Sequence, residues 1–339
     1  MNRKRTKRRL QWFSRSTIIR LGLLAVTIAA FGSYMMWMPG KSYRGPQPPL
    51  TPTQIVLRDE LRRDVEHLAS VIGERNIWRP DALAAAAKYV RQSFELSGYQ
   101  VQQQDYETNN VTCSNLYVQI DGSKKPDEIV IIGAHYDTIG ASPGAEDNAT
   151  GVLAMARSFA GKIPGRTLRL VAFVNEEPPF FQEDDMGSYV YARRRKKNGD
   201  NVVAMIAFDG LGHYSDQPGS QQYPLPILFT YLTKGNFIGF VGNLSSRSLL
   251  RRVVHSFRQH ARFPSEGAAL PAMMPGVGWS DQWSFWQCGY QGVMVTDTLP
   301  YRYEHYHGDT DTPDKIDFDR MARVVAPMKM VIADLVAVK

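Results

Sequence analysis

Cysteine is nearly absent. Cys113 and Cys288 are the only two in 339 residues and lie far apart in sequence. One long-range disulfide or two buried thiols both remain open, the second being the simpler reading. No Cys-x-x-Cys pair exists, which excludes a thiolate zinc site. Acids are missing from the first 20 positions, which carry Arg3, Lys4, Arg5, Lys7, Arg8, Arg9, Arg15 and Arg20. These eight cations exceed the net charge of the whole chain, +7, so everything downstream carries −1. Overall basicity is therefore no argument for a nucleic-acid partner, and none is expected. Charge of either sign is missing from the 18 residues Leu21–Met38. Internal repeats are missing too, as is low complexity outside one Pro-rich stretch.

What is present first is a membrane signal. Eighteen uncharged residues are the lower limit for a spanning helix, and Thr17–Ile19 extend it if Arg20 snorkels to the interface. Tyr34 and Trp37 stand where an aromatic belt is expected, and the preceding cations keep the N-terminus in the cytoplasm. A cleaved signal peptide is the competing reading. The apolar core is long for one, and no Ala-x-Ala site precedes Pro39, which favours an uncleaved anchor. The expected organisation is a basic cytoplasmic segment at 1–20, a transmembrane signal anchor at 17–38 and a spacer at 39–52 with five prolines. A catalytic domain at 53–339 follows and faces outward, in the periplasm if the source is bacterial. Its composition, 43% hydrophobic and 22% charged for the whole chain, is that of a globular protein.

The stretch Ile129–Gly151 organises that domain. Ile129–Ile132 is an unbroken, mostly β-branched run, which suits a strand buried on both faces. Polar chemistry follows at once in His135, Tyr136 and Asp137, then a Gly/Ser/Pro loop, then Glu146, Asp147 and Asn148 before an Ala-rich helix at 149–160. In an open α/β sheet, ligands bind beyond the carboxyl ends of the strands. Further strands are expected at 99–106, 115–120, 168–174, 202–208, 225–231 and 292–296. Helices are expected at 54–72, 80–96, from about 186, at 245–260 with Ser245 or Ser246 as cap, at 280–286 with Ser280 and Asp281 as caps, and at 319–336. The stretch 263–278 reads as irregular, and Arg193–Lys197 as a solvated helix end.

Three successive strands end in metal-capable side chains: His135, then Glu176 with Glu177, then Asp209. His307 lies in a polar loop near the C-terminus, and Asp147 opens the helix after the first of these strands. Singly, each has a plain explanation as a surface acid or a helix cap. Together they fall on one edge of one sheet. Five donors mixing imidazole and carboxylate suit two zinc-like ions a few ångströms apart that share one carboxylate. One of the two adjacent glutamates is then left over to act as a base, because neighbours at a strand end point to opposite sides.

With these residues in place, the chain resembles the di-zinc exopeptidases of the aminopeptidase Y and bacterial leucyl aminopeptidase type. The matches are His-x-Asp at 135–137, Gly-Ala-x-Asp-Asn-Ala-x-Gly at 144–151, Glu-Glu at 176–177 with Gly-Ser at 187–188, and Asp209 before Gly210. Ser-Asp at 280–281, Tyr-His at 306–307 and Asp-Thr at 311–312 continue the series. The resemblance implies a three-layer α-β-α fold whose central, mostly parallel mixed sheet is flanked by helices, and a hydrolase that removes N-terminal residues from peptides with two Zn2+ per chain. It implies that His135 and Asp209 hold one zinc, Glu177 and His307 the other, and that Asp147 bridges them. Glu176 is then the general base that activates the attacking water, and Asp137 orients His135. The remaining histidines, 67, 213, 255, 260 and 305, read as structural or surface residues. Two departures stand out: an insertion at 178–186 beside the presumed metals, and Gln282 where relatives often carry His. Glutaminyl cyclases share this fold and use a single zinc for an aminoacyl transfer, which makes them the alternative enzyme class. A metal-free receptor domain is a third class, disfavoured because all five donors are present.

Overall fold

A computed structural model describes residues 15–148, 150–223 and 233–338, and the chain separates into two units, Met1–Trp37 and Met38–Lys339. In the first unit the uncharged run forms helix α1 (Arg15–Met36). Its stretch Ile19–Met36, of mean hydropathy 1.6, is long and apolar enough to cross a membrane, a property that anchors share with signal sequences.

The second unit begins with α2 (Pro52–Glu66), which opens in a capping box: the Thr51 hydroxyl accepts from the Gln54 amide while the Gln54 side chain accepts from the Thr51 amide. A π-helical turn at His67–Ile72 and α3 (Pro80–Leu96) follow. Then come β1 (Gln102–Thr108), β2 (Val111–Ile120), β3 (Lys125–His135), α4 (Thr150–Phe159), β4 (Arg166–Phe173), α5 (Gly187–Lys197) and β5 (Asn201–Phe208). The chain closes with β6 (Ile238–Asn243), α6 (Arg247–His260), β7 (Ser265–Leu270), α7 (Gln282–Gln287), β8 (Gly292–Thr296) and α8 (Phe318–Val336).

The eight strands form one mixed sheet in the order β1-β2-β4-β3-β5-β8-β6-β7. Strands β4, β3, β5 and β8 are mutually parallel at its centre. Alternation along β3 shows why its run Ile129–Ile132 is apolar throughout. Val130 and Ile132 enter the core shared with α2, α3, α4, α6 and α8, whereas Ile129 and Ile131 enter a second core with Tyr191 of α5 and Phe285 of α7. Two helical layers thus cover the two faces, as the three-layer expectation requires. Gly133 is obligatory within the strand, since a Cβ there would lie 2.3 Å from the Phe173 ring.

Some elements depart from the sequence reading. β7, Ser-Glu-Gly-Ala-Ala-Leu, lies inside the stretch read as irregular, and β6 was not anticipated. β7 is rich in Gly and Ala and carries little β propensity, and in β6 two glycines interrupt Ile238, Phe240 and Val241, so pairing with neighbouring strands decides the outcome. The strand expected at 225–231 lies outside the described residues. The turn before α6 is capped by Asn243, whose side chain accepts from the Ser246 amide, while the Ser246 hydroxyl accepts from Gly292. Nor does the 39–52 stretch stand off as a spacer. Met38 is buried, Arg258 Nη1 donates to the carbonyls of Met38, Pro39 and Gly40 at 3.1–3.4 Å, and the Ser265 amide donates to Ser42 Oγ at 2.9 Å. A Pro-rich strand keeps its carbonyls unpaired, and arginines take them up. The folded unit therefore starts at Met38 and not at Thr53. Cys113 and Cys288 are both buried and free, as two thiols.

Candidate metal centre and active site

The parallel register brings the strand ends level. His135 pairs with Phe173 of β4, and Gly133 pairs with Ala207 of β5, so Asp209 falls opposite His135 across the sheet edge. Just past β4 the chain turns at Asn175, which takes a left-handed φ of 56°, and presents Glu176 and Glu177. Past β5 it turns at Gly210 with φ 68°, where a Cβ would meet Leu299 at 2.4 Å. Asp147 arrives from the loop after β3, and His307 from the long connection between β8 and α8.

The donors converge. His135 Nε2 lies 2.8 Å from Asp147 Oδ1, and His307 Nε2 lies 3.2 Å from Glu177 Oε2. Two overlapping groups, His135–Asp147–Asp209 and Asp147–Glu177–His307, each place one ligand atom per residue within 4.8 Å of the others, and Asp147 belongs to both. A third group joins His135 to Glu176 and Glu177. Glu176 Oε2 stands 3.9 Å from His135 Nε2. Asp137 sits beneath the pair of glutamates: its Oδ1 accepts from the Glu176 amide at 3.1 Å and its Oδ2 from the Glu177 amide at 3.2 Å. His135 Nδ1 faces the Asp137 backbone carbonyl at 3.2 Å and its carboxylate at 3.6 Å. The Asp137 carboxylate therefore fixes the Glu-Glu turn, and the Asp137 carbonyl does most of the orienting of His135.

Electrostatics show what the cluster lacks. Burial pushes the Glu176 carboxyl well above the usual carboxylate range, against the pull of His135 and with the repulsion of Glu177, Asp209 and Asp281. Asp209 is likewise pushed well up, by burial and then by Asp147. His135 is held well above an ordinary imidazole: burial opposes this, but Asp147 and Glu176 outweigh it. His135 Nε2 and Asp147 Oδ1 are buried and make no hydrogen bond of acceptable geometry despite their proximity. Buried carboxylates packed against one another, beside an imidazole nitrogen without a hydrogen bond, are the donor chemistry that divalent zinc satisfies.

Residues outside the expected set complete the site. Arg75 is fully buried and donates to six backbone carbonyls: Leu68, Gly73, Tyr136, Pro143, Gly144 and Asp147. Burial brings its guanidinium down to about 10, against the opposing charges of Asp137, Asp147, Asp311 and Glu177. It thus ties the π-turn, the end of β3 and the Asp147 loop into one block. Asp311 clamps the same loop, accepting from the Glu146 amide at 3.1 Å and the Tyr303 hydroxyl at 2.7 Å. A lone Arg between two helices gives no sequence signal. Replacing Arg75 by Met leaves several buried carbonyls unsatisfied, with an expected loss on the order of 3–5 kcal/mol in stability and a weakened zinc affinity. Denaturant titration together with a zinc binding isotherm measures both.

Asp281 corrects an expectation. It makes no capping hydrogen bond to α7; it is fully buried, both of its carboxylate oxygens lack hydrogen-bond partners, and burial pushes it up to about 7, against the pull of His135. Gln282 donates to the Val277 carbonyl at 3.1 Å and takes no part in the donor groups. The 178–186 insertion is firmly held: Phe180 is buried, Gln182 Nε2 donates to the Gly278 carbonyl at 2.8 Å, and Thr108 donates to Asp185 at 2.7 Å. Beyond Asp209 and Tyr306 opens a pocket with a cavity volume of about 110 Å3, partly open to solvent. Its floor is the face of β8, β6 and β7 where Thr296, Gly239 and Glu266 stand in register, and its walls are apolar, Phe237, Met294 and Leu299 among them.

Comparison with known proteins gives a consistent result. The sequence pattern of peptidase family M28 matches residues 115–332. The uncharacterized protein YfbL of Escherichia coli K12 is 33% identical over 279 residues, 79% of this chain and 85% of its own length. Carboxypeptidase Q of Bos taurus is 28% identical over 231 residues, 65% of this chain but 42% of that protein, so the chain spans less than half of this relative. In three dimensions, the zinc aminopeptidase BSAP from Bacillus subtilis superposes with a TM-score of 0.65 at 14% identity, covering 83% of this chain and 95% of that one. A Fimbriiglobus ruber glutaminyl cyclase superposes with a TM-score of 0.59 at 19% identity, covering 86% and 97%. At such identities the superpositions speak for the fold alone.

Proposed function

Because the chain belongs to peptidase family M28, and so to the zinc-dependent exopeptidases, we propose that it is a membrane-anchored aminopeptidase with two zinc ions, its catalytic unit facing away from the cytoplasm. The observation that carries this reading is the pair of donor groups sharing Asp147. His135 and Asp209 would hold one ion, Glu177 and His307 the other, and Asp147 both. Bound there, the ions supply Lewis-acid polarisation of the scissile carbonyl and activation of water.

Glu176 is the donor left over and serves as the proton carrier. It takes the proton from the attacking water and delivers it to the leaving amine, held in place by the Asp137 clamp on its amide. Asp137 keeps the Glu-Glu turn rigid, so that one glutamate faces the ions while the other faces the reacting atoms. Asp281, a buried acid outside the donor set, favours a free α-ammonium over a terminal carboxylate nearby. Arg75, the cation facing Asp137, Asp147 and Glu177, directs its guanidinium at backbone carbonyls and offers a C-terminal carboxylate no partner. Both features support amino- over carboxypeptidase action. The first side chain of the peptide would enter the apolar pocket beyond Asp209. The eight cations before α1 support an orientation with the N-terminus in the cytoplasm.

The test is a panel of aminoacyl anilides with and without chelator, followed by zinc add-back. Hydrolysis of Leu, Met and Phe substrates in preference to Asp and Glu substrates, abolished by chelator and restored by zinc, is expected. Cyclisation of N-terminal glutamine without anilide hydrolysis, at one zinc per chain, would replace this reading with a glutaminyl cyclase.

A further inference from the structure

Two segments remote in sequence carry cations and no acid. Residues 38–52 hold Lys41 and Arg44, and residues 247–265 hold Arg247, Arg251, Arg252, Arg258 and Arg262. Taking these seven from a remainder of net charge −1 leaves −8 on the rest, so these segments are basic against a net acidic remainder. The fold places the segments together. Arg258 grips the carbonyls of Met38, Pro39 and Gly40, and a Cβ on Gly40 would stand 3.4 Å from Arg258 and 3.9 Å from the His255 ring. Helix α6 buries Leu249, Leu250, Val253, Val254 and Phe257 and turns Arg252, His255 and Gln259 outward, with Arg262 and Lys41 exposed beside them. Two acids adjoin the patch: Glu266, 3.9 Å from Arg258 and within electrostatic reach of Arg44, and Asp334, bonded to Ser256 and 3.3 Å from His260. In the other cation run, on α5, three of five members are engaged within the molecule, Arg193 with Asp184, Arg195 with Asp200 and Lys196 over the Tyr290 ring, which leaves Arg194 and Lys197 as an exposed pair for comparison.

We propose that this flank rests on anionic phospholipid headgroups of the bilayer that anchors the chain. The proposal depends on the anchored reading above. Lys41 and Arg44 follow the apolar run by only a few residues, so they belong to the part of the unit that a bilayer meets first in sequence. Basic side chains held near an anionic leaflet each add attraction that decays within a Debye length, and a basic amphipathic helix such as α6 presents them in a row. Docking orients the catalytic unit instead of leaving it free to rotate about its tether.

The full chain is reconstituted in nanodiscs of phosphatidylcholine alone or with phosphatidylglycerol added. A fluorophore at Gln259→Cys reports contact through quenching by nitroxide-headgroup lipid, with the labelled parent chain as the blank for buried Cys113 and Cys288. Quenching is expected in the anionic discs, reversed by salt. Arg252→Gln with Arg262→Gln should shift the docked-to-undocked ratio about thirtyfold, while Arg194→Gln with Lys197→Gln on α5 should leave it unchanged. Equal quenching in the two lipids, or none in discs that carry the chain, overturns the docked flank and leaves the anchor standing. Protection of the label by a soluble polyanion but not by lipid overturns it in favour of a different partner. A chain that enters neither disc refutes the anchor and the flank together.

Discussion

Glu176→Gln is expected to lower kcat by about a hundred- to ten-thousand-fold while zinc content stays near that of the parent chain. The substitution is isosteric and keeps the backbone amide that Asp137 holds at 3.1 Å, so the turn and the neighbouring Glu177 stay in place. What it removes is the capacity to accept a proton. Its own burial, and then the neighbouring carboxylates, raise the proton affinity of Glu176, and bound zinc would offset part of that rise. The rival arrangement is concrete, because Glu176 also forms a donor group with His135 and Glu177. Under that arrangement Glu176→Gln sheds metal, as Glu177→Gln does. Under the present account Glu177→Gln sheds metal and Glu176→Gln does not. Metal analysis of the two variants beside steady-state kinetics separates the cases.

Asp147→Ala should be the most damaging single change to metal binding. Asp147 is the residue common to both candidate donor groups, and its Oδ1 stands 2.8 Å from His135 Nε2. Its removal leaves each group with two donors, fewer than the three protein ligands of known catalytic zinc sites. Zinc content should fall from two per chain to one or none, with hydrolysis at background. The loop itself should persist, because Arg75 binds the Asp147 carbonyl and not its side chain, and Asp311 holds the Glu146 amide. An unchanged circular dichroism spectrum and a modest change in the denaturation midpoint of the metal-free chain would show that the loss is one of ligands and not of fold.

The positions of His135, Glu176, Glu177 and Asp209 were legible because buried parallel strands are unbroken apolar runs, and the first polar residue after each run marks the sheet edge. Asp147 and His307 were legible only through motif order, since neither follows a strand. Arg75 and Asp281 escaped for physical reasons. Arg75 acts through carbonyls contributed by three distant segments, which no local pattern encodes. Asp281 stands before a short helix, where a cap is the ordinary reading of an Asp, yet its carboxylate is fully buried within electrostatic reach of His135, Asp137 and Asp147. Strand β7 escaped because Gly and Ala carry little strand signal, β6 because two glycines break its short apolar run, and the stretch at 38–52 because prolines read as a spacer whether or not arginines await their carbonyls.

The central claim is that one carboxylate joins two zinc ions at this sheet edge. Its most direct measurement is a titration of the chelated full chain with zinc, following bound metal and anilide hydrolysis together. The account predicts two equivalents bound per polypeptide, with full hydrolysis reached only as the second binds. Saturation of binding and activity at a single equivalent would contradict it.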